Sequence, residues 1–119
     1  LNKSISDAIN RAKNYLNAGA DGIMIHSKKD KPNEVFSFCK KYNLIINKKP
    51  LIVVPSTFNK TFENELVREG VNIVIYANQL LRSAIPAMQK TAVKILKNGR
   101  SYESDKDMIS IQNTLKIFD

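Results

Sequence analysis

Three short apolar segments, each followed by a stretch with helical spacing, constrain the fold of this chain more than any other feature. They are Gly22–His26, Leu51–Pro55 and Asn72–Ala77. None of them alternates apolar with polar residues, and each is therefore typical of a strand buried on both faces, as in a parallel sheet. Their starts recur about every 20 to 30 residues, which is the repeat of βα units with right-handed crossovers. The pattern predicts an α/β fold with three parallel strands and flanking helices.

Helical periodicity fills the segments around these strands. Apolar residues recur at helical spacing over Ile5–Leu16, with Ser6 as a candidate N-cap and Gly19 as the stop. A second helix is predicted to begin near Pro32, since proline suits the first helical turn. A third is predicted over Thr61–Glu69. The alternation of helix and strand thus runs through most of the chain.

The C-terminal part is predicted to be helical as well. A long helix is expected over Leu80–Lys97, with a kink or a break at Pro86. Another helix is expected over Ser104–Phe118, where Ser104 and Asp107 fit a capping-box-like start. We therefore divide the chain into a βα segment, 1–100, and a C-terminal helical segment, 101–119, that packs on its own chain or contacts another subunit. The apolar stripe of that last helix consists of Met108, Ile111, Leu115 and Phe118.

Three parallel strands are compatible with two architectures. One is a small open sheet, and the other is the second half of a (βα)8 TIM-type barrel, which has about 250 residues when complete. The periodic pattern alone does not decide between them. Both gather functional residues at the carboxyl ends of the strands.

Composition narrows the functional classes. The net charge is +8, but the lysines lie in separate short clusters without interleaved aromatic residues, so we expect no nucleic-acid partner. No apolar run approaches the roughly 18 residues of a membrane span, so we expect no membrane partner. Cys39 is the only cysteine, which excludes an internal disulfide, and its apolar neighbours predict a small core residue. A cytoplasmic location is the expectation.

Polar side chains follow each predicted strand at its carboxyl end. If the strands are parallel, one rim brings together His26, Ser56, Thr57 and Asn78. Most of these groups donate hydrogen bonds and no carboxylate stands at a strand end, so the rim suits a phosphate or phosphonate better than a metal. Each residue also has a structural alternative. His26 could be a simple hydrogen bonder, the two hydroxyls could cap a turn, and Asn78 could cap the long helix.

Four runs of sequence carry a resemblance to a known enzyme family. They are AGADGIMIHSKK at 18–29, PLIVVPST at 50–57, GVNIVIYANQLLRSAIPAMQKTA at 70–92 and ILKNGRS at 95–101. In order and spacing they resemble the sixth, seventh and eighth strand regions of phosphoenolpyruvate mutases. These enzymes belong to the isocitrate lyase and phosphoenolpyruvate mutase superfamily. The resemblance covers essentially the whole chain.

The resemblance implies a fold, a reaction and roles for individual residues. Members are (βα)8 barrels that use magnesium, and the mutases interconvert phosphoenolpyruvate and 3-phosphonopyruvate in phosphonate biosynthesis. At the position that ends the first predicted strand of this chain, methylisocitrate-type lyases carry a glutamate-containing segment. Mutases and phosphonopyruvate hydrolases carry there the histidine found here as His26. The resemblance thus implies that His26 contacts the phosphoryl or phosphonyl group, with Ser56, Thr57 and Asn78 as further substrate-binding residues.

Several of the family's functional groups have no counterpart in the chain. The magnesium-binding carboxylates, the gating loop and the arginine that partners the histidine all belong to earlier strands. We therefore expect a C-terminal half-barrel that is inactive alone, with Mg ligands in the missing half and pairing with that half or a homo-oligomer. Gln79 also stands where many relatives have histidine, so it can donate a hydrogen bond but cannot titrate. The alternatives are a phosphonopyruvate hydrolase and a non-catalytic half-barrel that binds an anion or a partner.

Overall fold

The computed structural model describes residues 4–117, and its contacts divide the chain into two units, 1–77 and 78–119. The three strands of the first unit form one parallel sheet in the order β1-β2-β3, which confirms the predicted α/β class. The predicted division at residue 100 remains a prediction. The elements of the first unit are α1 (Ile5–Asn17), β1 (Ile23–Ile25), α2 (Asn33–Tyr42), β2 (Leu51–Val53), α3 (Glu63–Arg68) and β3 (Ile73–Val74).

Helix α1 begins two residues earlier than its predicted cap. The side chain of Ser4 accepts a hydrogen bond from the backbone N–H of Asp7, so Ser4 is the N-cap and the prediction of Ser6 is wrong. Ser6 lies inside the helix, where its hydroxyl cannot reach the unsatisfied amides of the first turn. The helix ends as predicted at Gly19, whose φ of 95° is a left-handed conformation that suits glycine.

The two faces of the sheet differ in burial. In the register of the sheet, Ile23 pairs with Leu51 and Ile25 with Val53, and these four side chains are buried against α1 and α2. The alternate row behaves differently, since Met24 is 57% exposed and Ile73 is 47% exposed. Burial on both faces, predicted from the apolar runs, is therefore wrong for this row. The reason is that within 4–77 the helices in contact with the core cover only one face.

The core of the first unit centres on α2. The rings of Phe38 and Tyr42 stack with centroids 5.6 Å apart, and the hydroxyl of Tyr42 donates to the carbonyl of Lys49 at 2.9 Å. Cys39 is wholly buried beside them, which confirms the predicted core role. Burial raises the pKa of its thiol to about 11, with the charge of Glu69 as a further cause.

The second unit contains helix α4 (Gln79–Asn98), which is continuous through Pro86, so a break there is wrong and a kink stays a prediction. A proline removes one backbone hydrogen bond, but the bonds on either side hold the helix together here. No residue of α4 is buried. The helix ends at Gly99, whose φ of 65° is again left-handed.

A 3₁₀ helix (Tyr102–Asp107) and helix α5 (Ile111–Leu115) follow α4. A single helix over Ser104–Phe118 is therefore wrong within the described residues, and Phe118 lies outside them. The cause is local, because Met108 adopts an extended conformation and the side chain of Ser110 caps α5 by accepting from Asn113 N–H at 3.2 Å. Across residues 4–117, no helix has the length and apolar character needed to cross a membrane.

Candidate functional site

His26 lies directly after β1, at the carboxyl end of the sheet, and is exposed. Its Nδ1 atom is 3.3 Å from the carbonyl oxygen of Val54, which directly follows β2. A carbonyl oxygen can only accept, so in this hydrogen bond Nδ1 carries the hydrogen and donates. The contact joins the ends of two neighbouring strands and sets the orientation of the imidazole ring.

Ser27, which sequence reasoning did not select, is the most constrained residue at this end of the sheet. Its side chain is wholly buried, and its hydroxyl donates to Oε2 of Glu34 at 2.7 Å. The same oxygen accepts from the backbone N–H of Lys29 at 3.1 Å, which closes a serine turn. The hydroxyl therefore connects the loop after β1 to the first turn of α2.

Thr57 connects this loop to the one that follows β2. Its hydroxyl donates to the backbone carbonyl of Ser27 at 2.6 Å, while Ser56 beside it is half-buried. The structure thus brings the predicted residues His26, Ser56 and Thr57 to one end of the sheet. We call His26–Lys29 together with Pro55–Thr57 the strand-end rim.

Asn78 belongs to the second unit, at the N-cap position of α4. Its side chain makes no capping hydrogen bond, so the alternative that the Asn78 side chain caps this helix is wrong. Instead, the backbone N–H of Asn78 donates to the side-chain oxygen of Gln79 at 3.1 Å. The part of Asn78 in ligand binding stays a prediction.

A carboxylate near the end of β3 was also missed by sequence reasoning. The hydroxyl of Tyr76 donates to Oε1 of Glu63 at 2.6 Å, and this hydrogen bond raises the pKa of Tyr76. The pair lies in a concavity of about 500 Å³ that Thr61 and Phe62 also line. Glu63 stands in the first turn of α3, eight residues past the predicted strand end at Pro55, so no local pattern pointed to it.

The exposed side chains of the strand-end rim are mainly cationic or can donate hydrogen bonds. Lys28 and Lys29 are exposed beside His26, and a groove of about 580 Å³ runs from His26 and Lys28 along β1 to Arg11. The carboxylate of Glu34, which contacts the rim, accepts a hydrogen bond from Ser27. Within residues 4–117, no group of three or more His, Cys, Asp or Glu side chains could hold a metal ion. The described residues therefore do not fit a magnesium site.

Consecutive βα units with hydrogen-bond donors at the carboxyl ends of parallel strands are the architecture of barrel-type enzymes that handle anions. Comparison with known proteins identifies the family. The family model described as phosphoenolpyruvate phosphomutase matches residues 1–96. The chain belongs to the phosphoenolpyruvate phosphomutase family.

Individual relatives agree with this assignment. A phosphoenolpyruvate phosphomutase of Tetrahymena pyriformis is 37% identical over 95% of this chain and 37% of its own length. The crystal structure of phosphoenolpyruvate phosphomutase from Streptomyces platensis subsp. rosaceus matches with a TM-score of 0.85 and 32% identity, over 95% of this chain and 38% of that one. A structure of phosphonopyruvate hydrolase in complex with oxalate and Mg²⁺ matches with a TM-score of 0.82 and 31% identity, over 95% and 39%. The chain thus spans well under half the length of these relatives.

Proposed function

We propose that this chain forms the second half of the barrel of a phosphoenolpyruvate mutase, which interconverts phosphoenolpyruvate and 3-phosphonopyruvate in phosphonate biosynthesis. The observation that carries the proposal is the family match over residues 1–96, together with the position of His26 at the strand-end rim. The reaction moves a phosphorus group between an oxygen and a carbon atom of the same three-carbon skeleton. The parent protein is thus an isomerase, and the 119-residue chain alone is expected to be inactive.

His26 is proposed to hold the phosphoryl or phosphonyl group. Since Nδ1 donates to Val54, a hydrogen bond to a phosphoryl oxygen has to come from Nε2–H. A ring that carries both hydrogens is the imidazolium, which adds a positive charge to the hydrogen bond. Charge-assisted donors of this kind stabilise the negative charge spread over a phosphoryl group during transfer.

Ser56 and Asn78 are proposed as the remaining residues of this chain that donate to the substrate, and Thr57, predicted from the sequence to bind it as well, is given a supporting role. The hydroxyl hydrogen of Thr57 is used by the Ser27 carbonyl, which leaves only oxygen lone pairs on that side chain. Lone pairs repel an anion, so we propose that Thr57 contributes by fixing the loop while Ser56 and Asn78 supply donors. The half-buried position of Ser56 beside Thr57 supports this arrangement.

Magnesium is proposed as the cofactor of the complete protein, because a related hydrolase structure contains Mg²⁺ with oxalate. Its ligands are expected outside residues 4–117, because no cluster of metal-ligating side chains occurs within that range. The exposed apolar side chains of Met24 and Ile73 on the sheet support pairing of this segment with the missing half or with another copy. A cytoplasmic location remains part of the proposal.

Phosphonopyruvate hydrolase is the second candidate for the parent protein. The observation that favours it is the TM-score of 0.82 to a hydrolase, which is close to the 0.85 to a mutase. Both activities require a histidine that binds the phosphoryl or phosphonyl group, so the strand-end rim does not distinguish between them. The product does separate them, since the hydrolase releases inorganic phosphate and pyruvate.

The test is phosphorus NMR on the full-length gene product with phosphonopyruvate and Mg²⁺, with the 119-residue chain run beside it. Phosphoenolpyruvate from the full-length protein alone supports the mutase, inorganic phosphate supports the hydrolase, and no product from either chain refutes both.

The role of His26 is tested by two substitutions. His26→Asn keeps a hydrogen-bond donor where Nδ1 was, and His26→Gln keeps one where Nε2 was. Losing the Nε2 donor is expected to cost on the order of a hundredfold in turnover, so His26→Gln should retain more activity than His26→Asn.

A further inference from the structure

We propose that Glu34 is a positioning residue for His26 and acts through the buried hydroxyl of Ser27. The catalytic consequence of this inference rests on the proposed role of His26 in holding the phosphorus group. The structural part of it does not, because it concerns only which ring nitrogen of His26 carries the hydrogen. The two parts are therefore tested separately.

The geometry fixes Ser27 from three sides. Its hydroxyl donates to Glu34 at 2.7 Å and accepts from Lys29 N–H at 3.1 Å, while its carbonyl accepts from Thr57 at 2.6 Å. These bonds tie one residue to helix α2, to its own loop and to the loop after β2. Because the side chain of Ser27 is wholly buried, no water is available to replace a lost partner.

The residue held in this way is the immediate neighbour of His26. The ring of His26 has to reach the Val54 carbonyl at 3.3 Å, and a small rotation of the backbone at Ser27 moves the ring away from that oxygen. Fixing Ser27 thus fixes the donor role of Nδ1 and the position of Nε2, which donates to the phosphorus group in the proposed function when the ring carries both hydrogens. The hydrogen bond of Glu34 at this end of the sheet goes to Ser27, the residue next to His26, and this is the route by which its effect reaches the ring.

The carboxylate of Glu34 is chemically suited to this task. A hydroxyl that donates to an ionised carboxylate makes a shorter and stronger hydrogen bond than a neutral pair, and the 2.7 Å distance fits. If Glu34 becomes alanine, the Ser27 hydroxyl is left buried without an acceptor, which favours rearrangement of the loop. If it becomes glutamine, an amide oxygen can still accept. Glu34→Ala and Glu34→Gln therefore separate loss of the acceptor from loss of the charge.

The sequence offers an unusually clean spectroscopic test, because His26 is the only histidine. Long-range ¹H–¹⁵N correlation spectra of the 119-residue chain report directly which ring nitrogen is protonated in the neutral form. The wild-type chain is expected to show the Nδ1–H tautomer, whereas a histidine without constraint favours Nε2–H. Glu34→Ala is expected to shift the ring to Nε2–H, and Glu34→Gln to keep most of the Nδ1–H form.

Two controls keep the test decisive. Asp30→Asn removes an exposed carboxylate from the same loop and should leave the tautomer unchanged. Protection of the buried Cys39 thiol from alkylation reports that each variant is folded. A folded Glu34→Ala chain with the wild-type tautomer overturns the inference. If Glu34→Ala does not fold, Ser27→Ala takes its place, since it removes the same bond, and an unchanged tautomer there overturns the inference equally.

The catalytic part is measured in the full-length gene product. Glu34→Ala is expected to lower kcat on the order of tenfold to a hundredfold with a smaller change in KM, because a ring that has moved away from the Val54 carbonyl is misplaced for the transition state. Glu34→Gln should recover most of the loss, and an unchanged kcat for Glu34→Ala overturns the inference. A tautomer shift in the short chain combined with an inactive wild-type enzyme refutes only the proposed function. An active wild-type enzyme with no tautomer shift refutes only the inference.

Discussion

The two units of the chain both contain apolar side chains at helical spacing, but these side chains are mostly buried in the first unit and exposed in the second. Residues 1–77 contain every buried apolar side chain of the described core, from Ala8 to Val71. Residues 78–119 contain a 20-residue amphipathic helix with no buried residue, and apolar side chains such as Leu80 are 86% exposed. The difference shows that a helical apolar stripe specifies which face is to be covered but does not itself supply the covering surface. Matched substitutions in the two units test whether stability follows this division.

The largest loss of stability is expected from a substitution in the core of the first unit. Phe38→Ala removes a ring that is 1% exposed and stacked on Tyr42, which should lower the free energy of unfolding by about 3–5 kcal/mol. The matched variant is Leu80→Ala, a large apolar residue that is also in a helix but is 86% exposed. It should change stability by no more than about 0.5 kcal/mol. Urea denaturation of both variants tests the comparison, and equal losses would contradict it.

The second prediction concerns alkaline pH, because the buried thiol belongs to the first unit. The pKa of Cys39 is raised from 9.0 to about 11, so the folded state retains a proton that the unfolded state releases. The corresponding stability is complete below pH 9 and is lost as the pH rises towards 11. At about 1.4 kcal/mol for each pH unit, the loss is roughly 2–3 kcal/mol.

The measurement is the free energy of unfolding from pH 8 to 11.5 for the wild type and for Cys39→Ala. Lysines and tyrosines titrate in the same range in both proteins, so only the difference between the two curves is informative. The wild-type curve should fall more steeply between pH 9 and 11. Parallel curves would show that burial of Cys39 does not hold its proton.

A smaller effect is expected from a buried hydroxyl. Tyr42→Phe removes the donor to the Lys49 carbonyl while keeping the stacked ring, and should cost about 1 kcal/mol. Tyr102→Phe in the second unit is the control, since Tyr102 is 73% exposed. It should leave the thermal midpoint unchanged. A similar loss from Tyr102→Phe would mean that the second unit is better packed than its exposure indicates.

Much of the first unit could be predicted because its signals are local. Apolar runs flanked by glycine or proline predict strands, and a helix stop such as Gly19 follows from backbone conformation. The buried role of Cys39 followed from its apolar neighbours in the sequence. The exposure of Met24 could not be predicted in this way, since burial of a sheet face depends on which elements cover it.

The site was only partly predictable, for a different physical reason. Parallel strands place His26 and Thr57 at one end of the sheet, as the topology requires. The bond between Ser27 and Glu34 spans seven residues across a loop and a helix start, and no periodic pattern encodes such a pairing. In the C-terminal segment, the Ser110 cap and the extended Met108 interrupted a helix that apolar spacing alone had favoured.

The smallest contribution to stability is expected from the ion pairs of the second unit. Asp107 forms ion pairs with Lys94 and Lys90. Hydrogen bonds from these lysines, of which the one from Lys94 has the larger effect, hold the pKa of Asp107 below its usual value of 3.8. A lowered carboxylate pKa stabilises the folded form at pH values above 3.8, and this contribution is lost as the pH falls further.

Asp107→Asn should therefore loosen the 3₁₀ helix slightly at neutral pH and low salt, because it removes the charge that both lysines share. Hydrogen exchange of the 102–107 amides measures the effect, which should diminish as the pH falls below 3.8 or in about 1 M salt, where exposed charges are screened. Asp105→Asn, in the same 3₁₀ helix but exposed and outside these ion pairs, is the matched control. If both variants exchange alike, the ion pairs do not order this segment. The amphipathic face of α4 would then have to be covered by another surface before the second unit gains stability.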